Sequence, residues 1–348
     1  MNELKQKSIP VRDAVGMVLA HDITEINPRT GFKGRRFSRG HVVAAADVDK
    51  LLDLGKERLY VLEVGDGRLH EDEAALLLAA AIAGPGTDYV PEPREGKINI
   101  TAATDGVLRV EVDSLAEFNM LGEVMCATRH RDTLVAAGDT VAGTRAIPLI
   151  VESRLVDEAA GIAGAAGGLV SVAPLKRARA ALIITGNEVY HGRIEDAFEP
   201  VIRRKLKDLG SEVTSVKFCP DDAGMISAAI GKGAAAGADL IVLTGGMSVD
   251  PDDVTLSAVE AAGATVSAYG SSVIPGAMFM AAYLSDGTPV LGVPACGIFH
   301  ANTILDLVLP RVLAGEIIGR REIARLGHGG LCLGCDECRF PVCPFGKA

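Results

Sequence analysis

From Arg177 onward the chain alternates short buried-strand runs with helical stretches, and this alternation restricts the fold more than any other feature. "RAALIITG" and "DLIVLTGG" are continuous apolar runs ending in glycine, and "SEVTSVKFC" and "PVLGVPA" read as further strands. Between them, "AFEPVIRRKLKDLG" puts Phe198, Val201, Ile202, Leu206 and Leu209 on one helical face. "DDAGMISAAIGKGAAAG" reads as a helix with an aspartate cap, and "DDVTLSAVEAAG" and "HANTILDLVLPRVLAG" as two more. The pattern predicts an α/β fold: a mostly parallel sheet with helices on both faces. Ligands of such sheets bind outside the carboxyl ends of the strands. Three loops fall there: "TGNEVYHGRIED", "TGGMSVDPDDVT" and "GVPACG".

The upstream sequence has a different texture. Residues 1–85 read as a mixed α/β region, with a helix at "AADVDKLLDLG", a buried strand at "ERLYVLEV" and a helix at "HEDEAALLLAAAIAG". Residues 86–175 read as a small β-rich accessory domain. In "GKINITAATDGVLRVEV" apolar and polar residues alternate across Asp105-Gly106, which predicts a hairpin. "GIAGAAGGLV" lacks the Gly-Lys-Ser/Thr of a nucleotide loop and reads as a close-packed turn of small residues. The α/β domain is expected over 176–320 and a Cys-rich tail over 321–348.

A net charge of −10 with no basic block beyond "GFKGRRFSRG" argues against a nucleic-acid partner. The longest apolar stretch, "AALLLAAAIAG", is too short to span a bilayer. "MNELKQKSIPVRD" shows no apolar signal core, so the expectation is a cytoplasmic protein without a membrane partner.

The loop "TGGMSVDPDDVT" has a purely structural reading: Asp250 as N-cap, Pro251 at the first helical position, and Asp252 and Asp253 complementing the helix dipole. One aspartate suffices for a cap, and a cap does not require Thr244-Gly245-Gly246 at the strand end. Two glycines there let backbone N–H groups approach a ligand such as phosphate. "TGNEVYHGRIEDAF" repeats the design, with Thr185-Gly186 ending a strand and Glu188, Glu195 and Asp196 following. Carboxylates beside such amides suit a divalent ion or the N–H donors of a planar amino-heterocycle.

These residues carry a resemblance. The segment from about Lys176 to Gly315 resembles the molybdopterin-binding domain of molybdenum-cofactor biosynthesis proteins, the group of the molybdopterin molybdotransferases and gephyrin. "TGGMSVDPDD" is similar to the family's Ser/Thr-Gly-Gly-x-Ser-x-Gly-x-x-Asp loop, "TGNEV" to its Thr-Gly-Asp-Glu-Leu, "VIPGAMF" to its Pro-Gly-Lys-Pro turn and "GVPACG" to its Gly-Leu-Pro-Gly-Asn-Pro turn. The resemblance implies that Thr244, Gly245, Gly246 and Ser248 cradle the terminal phosphate of molybdopterin. Asp253 is implied as the acid near the metal or dithiolene end, with Glu188 on the opposite wall. Thr185, Gly186, Asn187, Asp250 and Asp252 join the cofactor-binding set, and Pro275, Gly276 and Pro294 close the pocket. Mg²⁺ held by the aspartates and Glu188, molybdate as a second small molecule, a molybdoenzyme apoprotein as recipient and a homo-oligomer complete the expectation. The chain departs from the pattern at Asn187 for aspartate, Asp250 for glycine, Ala277 for the usual lysine, and "ACGIF" for Gly-Asn-Pro. A missing cation beside an oxyanion site favours pterin binding over molybdate insertion.

The tail is a separate signal. Cys332, Cys335, Cys338 and Cys343 are spaced C-x2-C-x2-C-x4-C with Pro344 next, a pattern that suits Zn²⁺ or an iron–sulfur cluster. His70 has no second histidine four residues on, His191 reads as an exposed turn residue, and Cys296 as a buried structural thiol. The function expected is molybdopterin binding in cofactor biosynthesis, as a molybdotransferase-like enzyme or a carrier. The alternatives are a non-catalytic metal-binding chaperone working through the tail and a nucleotide-pyrophosphate hydrolase.

Overall fold

The computed structural model describes residues 8–27, 31–60, 67–247 and 254–347. They divide into two compact units, one of residues 1–101, 111–128 and 140–170, the other of residues 102–110, 129–139 and 171–348.

In the first unit, the hairpin Ile23–Asn27/Phe32–Phe37, the pair Ser8–Pro10/Arg58–Tyr60 and the helix Asp47–Asp53 enclose Val11, Leu19, Leu51 and Leu59. The helix Glu71–Ile82 starts on His70, whose Nδ1 accepts from the Asp72 N–H at 3.2 Å while Glu73 accepts from the His70 N–H at 3.1 Å. That capping box, and the Nε2 bond to the Ala20 carbonyl at 2.6 Å, give the wholly buried His70 a structural role.

Three expectations for the middle of the chain fail in whole or in part. Lys97–Ala102 and Gly106–Val110 do not form a hairpin. The first pairs with Thr140–Ala146, the second with Leu134–Val135, in separate sheets. Asp105 accepts from the Ala137 N–H at 2.8 Å, so its side chain serves a different neighbour. "GIAGAAGGLV" is a turn only in its second half: Gly161 to Ala165 complete the helix Ser153–Ala165, whose buried stripe is Val156, Ala159 and Ala163, and the close-packed turn is confined to Ala166–Gly168, where a Cβ on Gly168 would stand 2.7 Å from Gly84. Residues 86–175, expected as one β-rich domain, also hold the helix Val112–Met120 and are shared between the two units.

The second unit is built on a six-stranded sheet. Its strands are β1 (Arg179–Thr185), β2 (Glu212–Cys219), β3 (Leu240–Thr244), β4 (Thr265–Tyr269), β5 (Met280–Tyr283) and β6 (Pro289–Val293), in the spatial order β2-β1-β3-β6-β5-β4. β2, β1, β3 and β6 are parallel, with Ile184 opposite Thr244 and Thr244 opposite Val293. β5 runs antiparallel to β6 and β4 antiparallel to β5, an edge the sequence reading did not contain.

The helices are α1 (Asn187–Tyr190), α2 (Phe198–Asp208), α3 (Ala223–Ala235), α4 (Thr255–Ala261), α5 (Cys296–Phe299), α6 (Ile304–Leu313) and α7 (Arg320–Arg325). Side chains alternate across a strand, so Ala180, Leu182 and Ile184 of β1 pack with Ile202 and Leu206 of α2 and Ile304, Leu305 and Val308 of α6. Ala181 and Ile183 face the other way, onto Ile226 and Ile230 of α3 and Val259 of α4. Each buried Leu, Ile or Val contributes about 1.5–3 kcal/mol relative to exposure. Phe345 of the tail is buried in the first of these cores, and the Gly346 N–H donates to the Gly329 carbonyl at 2.9 Å. The tail therefore packs on the α/β unit.

A buried ion network also sits in this unit. Glu316 Oε1 accepts from Arg311 Nη2 at 2.5 Å, Glu316 Oε2 pairs with Arg109 at 2.6 Å, and Asp132 pairs with both arginines. Burial pushes the Glu316 carboxyl up, but the Arg311 hydrogen bond and the two positive charges outweigh it and hold the group below its ordinary value. Among the described residues no helix is long and apolar enough to cross a membrane.

Candidate functional site

The parallel strands and β4 all end at one edge of the sheet, and β5 begins there. That edge gathers Thr185-Gly186, Thr244-Gly245-Gly246, Tyr269, the loop before Met280, and Val293-Pro294. A cavity of about 440 Å³ opens among them, lined by Gly245 and Gly246, Pro275 and Gly276, and Pro294 and Cys296. Three of the four motifs read from the sequence thus meet in one place.

The fourth motif supports this cavity from behind. Thr185 is buried, and its hydroxyl donates to the Thr244 carbonyl at 2.9 Å, joining the β1 and β3 ends. Gly186 donates to the Cys219 carbonyl at 3.2 Å. The Asn187 N–H donates to Asp221 Oδ2 at 2.9 Å, and Asn187 Oδ1 accepts from the Asp221 N–H at 3.4 Å. Asn187 is therefore tied to the loop after β2, a partner that sequence reading did not identify. Glu188 is exposed in α1 and does not line the cavity.

Both loop glycines are required by geometry. Gly245 has φ +86°, and a Cβ there would stand 2.6 Å from the Thr185 carbonyl oxygen. Gly246 has φ +61°, and a Cβ there would stand 2.5 Å from Thr255 Oγ1. The Thr255 hydroxyl donates to the Gly245 carbonyl at 3.1 Å, fixing the turn. Thr244 is wholly buried, and its Oγ1 finds no hydrogen-bond partner among the described residues. Such an orphan costs about 1–3 kcal/mol, and it lies one residue before the cavity-lining Gly245 and Gly246.

Opposite, the Gly270 N–H donates to the Phe279 carbonyl at 2.9 Å and the Ser271 N–H to the Ala277 carbonyl at 2.7 Å, closing the base of the Ser272–Gly276 loop. Gly276 is pressed against α6, where a Cβ would collide with Ile304 Cγ2. The described lining carries no Lys or Arg, and Ala277 stands where the resemblance has lysine. Met247, Ile274, Met278 and Cys296 complete the wall, and burial pushes the Cys296 thiol up. Sequence reading gave Met247, Ile274 and Met278 no role, and Cys296, expected as a buried structural thiol, is half-buried in the cavity wall.

Several expected site residues lie elsewhere. Ser248, Asp250, Pro251, Asp252 and Asp253 fall outside the described residues. α4 is described from Thr255, with Val254 at its N-cap, and the expected cap Asp250 lies outside the described residues. Glu195 and Asp196 line a different cavity, of about 640 Å³, beside Val189 and Phe218. Asp196 accepts from the N–H groups of Phe198 and Glu199 at 3.0 and 2.8 Å, which caps α2. His191 is exposed and packs edge-on to Tyr190.

The four tail cysteines, Cys332, Cys335, Cys338 and Cys343, border one cavity of about 170 Å³. Among the described residues no group of three or more His, Cys, Asp or Glu side chains is already drawn together as a metal site.

Comparison with known proteins bears on this edge. Residues 181–314 match the family described as "Probable molybdopterin binding domain", and residues 8–63 match a "Domain of unknown function (DUF8806)". A CinA-like protein of Mycobacterium sp. (strain JLS) is 42% identical over 82 residues, 24% of this chain and 20% of the relative. A CinA-like protein of Mycobacterium tuberculosis (strain H37Rv) is 40% identical over 82 residues, 24% and 19% respectively. The chain thus spans about a fifth of the length of the curated relatives it matches. Among solved structures, the molybdopterin biosynthesis enzyme MoaB of Thermus thermophilus is similar at TM-score 0.34 and 20% identity, over 40% of this chain and 98% of that one. The molybdopterin biosynthesis MoeA protein of Pyrococcus horikoshii is similar at TM-score 0.34 and 15% identity, over 89% and 74%. Residues 181–314, within the α/β unit, thus carry the match to the probable molybdopterin binding domain family.

Proposed function

We propose that the cavity at the carboxyl edge of the sheet binds molybdopterin, and that the chain acts in molybdenum-cofactor biosynthesis. The observation that carries this reading is the cradle at Thr244-Gly245-Gly246. It pairs two positions where no side chain fits with a buried hydroxyl that has no described partner. Glycine main chain at the cavity rim and an orphan hydroxyl beside it suit a phosphate, and the apolar wall of Met247, Ile274, Pro275 and Met278 suits a flat ring. The family match of residues 181–314 supports the same ligand.

In this reading Thr244, Gly245, Gly246 and Ser248 hold the phosphate, and Thr185, Gly186 and Asn187 brace them through the β1–β3 junction. Pro275, Gly276 and Pro294 close the pocket. Asp250, Asp252 and Asp253 supply carboxylates for a Mg²⁺ that offsets the phosphate charge, a need sharpened by the lack of lysine at Ala277, while Glu188, exposed and outside the cavity lining, is left out of that set. When bound, molybdopterin supplies dithiolene sulfurs that accept molybdenum, and Asp253 is the acid assigned to that end. The absent cation favours a carrier that passes cofactor to a molybdoenzyme over a molybdotransferase. A cytoplasmic homo-oligomer is the working form proposed.

A second reading is favoured by the convergence of four cysteines on one cavity: a chaperone whose working part is a Zn²⁺ or iron–sulfur centre in the tail. One experiment separates the two. The protein is purified anaerobically, titrated with molybdopterin, oxidised, and its retained pterin read by fluorescence, with and without residues 331–348. Retention by both forms supports the pocket reading. No retention by either form, at any ligand concentration, sinks it.

A further inference from the structure

The tail is tied to the pocket by main-chain bonds. The Ile274 N–H donates to the Gly330 carbonyl at 2.9 Å, and the Cys332 N–H donates to the Ile274 carbonyl at 2.8 Å. Ile274 thus forms a parallel bridge with Leu331, one residue before Pro275 and Gly276 in the pocket wall. Cys332, the first tail cysteine, is therefore one hydrogen bond away from that wall.

The cysteines border one cavity without being drawn together into a metal site. Cys332 and Cys343 are half-buried against the hydrophobic core, while Cys335 and Cys338 are exposed. Asn302 Nδ2 donates to Cys338 Sγ at 2.9 Å. Arg339 lines the same cavity and places a positive charge beside thiols that become anionic on ligation. The cavity, about 170 Å³, exceeds the space of one ion bound at about 2.3 Å from each sulfur.

We propose that Cys332, Cys335, Cys338 and Cys343 hold a thiolate-bound metal centre, and that this centre fixes the Ile274–Gly276 wall of the neighbouring pocket. Ligation breaks four S–H bonds and forms four S–metal bonds, releasing four protons to solvent. With Zn²⁺ the product is a tetrathiolate; with a preformed iron–sulfur thiolate cluster the cysteines displace its thiols, which leave carrying those protons. Neither route changes an oxidation state. Binding draws Cys335 and Cys338 inward, holds the Cys332 backbone, and through it the Ile274 carbonyl. Only the description of the wall as part of a pterin site rests on the preceding proposal.

The test uses the full chain, stripped of metal anaerobically and loaded either with Zn²⁺ or with a synthetic iron–sulfur thiolate cluster. Bound metal is counted after gel filtration, and amide exchange is followed across residues 270–280. One centre per chain is expected in at least one arm, lost in Cys335→Ser/Cys338→Ser, whose exposed positions spare the core. Loading should slow exchange at Ile274 about tenfold in the wild-type chain and leave it unchanged in the variant. Retention of zinc identifies a mononuclear site, and retention of the cluster the polynuclear one; either supports the proposal. Metal lost in both arms, metal held equally by the variant, or unchanged exchange at Ile274 on loading overturns it. The assay contains no pterin, so its outcome is independent of the pocket's ligand.

Discussion

The Gly245→Ala substitution tests the site where the strand ends meet. An alanine at φ +86° carries the left-handed penalty of about 1–2 kcal/mol. Its Cβ would also stand 2.6 Å from the Thr185 carbonyl oxygen and 2.8 Å from its hydroxyl. Backbone cannot swing aside as a side chain does, so the β1 and β3 ends must separate. Overpacking of that kind costs about 1–3 kcal/mol. The Thr185 hydroxyl bond to the Thr244 carbonyl, at 2.9 Å, is lost with it, at about 1 kcal/mol. The expected destabilisation is about 3–6 kcal/mol, a large part of a domain's typical stability. Gly263→Ala is the control, because Gly263 has φ +81° but nothing within 4 Å of its Cβ. It should cost only the backbone penalty, about 1–2 kcal/mol. Urea unfolding followed by far-UV circular dichroism measures both, which suits a chain without Trp. Equal midpoints for the two variants would refute the steric argument.

Two further outcomes are expected. Thr244→Val keeps the shape and removes the orphan hydroxyl, so the ligand-free protein should gain about 1 kcal/mol while pterin affinity drops about tenfold; calorimetric titration beside thermal melts reads both, and a stability gain with intact affinity would mean the hydroxyl does not meet the ligand. Arg311→Met should cost about 3 kcal/mol by leaving Glu316 and Asp132 to share Arg109. Because the folded Glu316 pKa is lowered from an ordinary 4.5, its stabilisation is full above that value and fades as pH falls through the folded pKa. The acid limb of the stability–pH curve should therefore flatten in Arg311→Met, and an unchanged limb would remove Glu316 from the account.

The α/β unit was legible because its signals are local. Apolar runs bounded by glycine marked β1, β3 and β6, and the 3.6-residue periodicity marked α2. β4 and β5 were missed because "TVSAY" and "MAAY" are short, and their antiparallel partnership is decided by neighbours in space. The Asp105-Gly106 turn was real as a change of direction, but a turn does not name the strand's partner. At the site, the glycines and prolines were found because each answers a backbone demand readable in a short motif. The Asn187–Asp221 pair and the Arg109, Asp132, Arg311 and Glu316 network were not, since their members come from distant segments.

The antiparallel edge has one more consequence. The loop entering β5 is pinned at its base by the Gly270–Phe279 and Ser271–Ala277 bonds, so its tip is mechanically isolated from the register of the sheet. Side chains can be exchanged between Ser272 and Gly276 without sliding any strand, so long as Ile274 keeps its main-chain bridge to Leu331 and Gly276 its seat against Ile304. A lineage, or an engineer, can reshape what enters the cavity there while inheriting the scaffold unaltered.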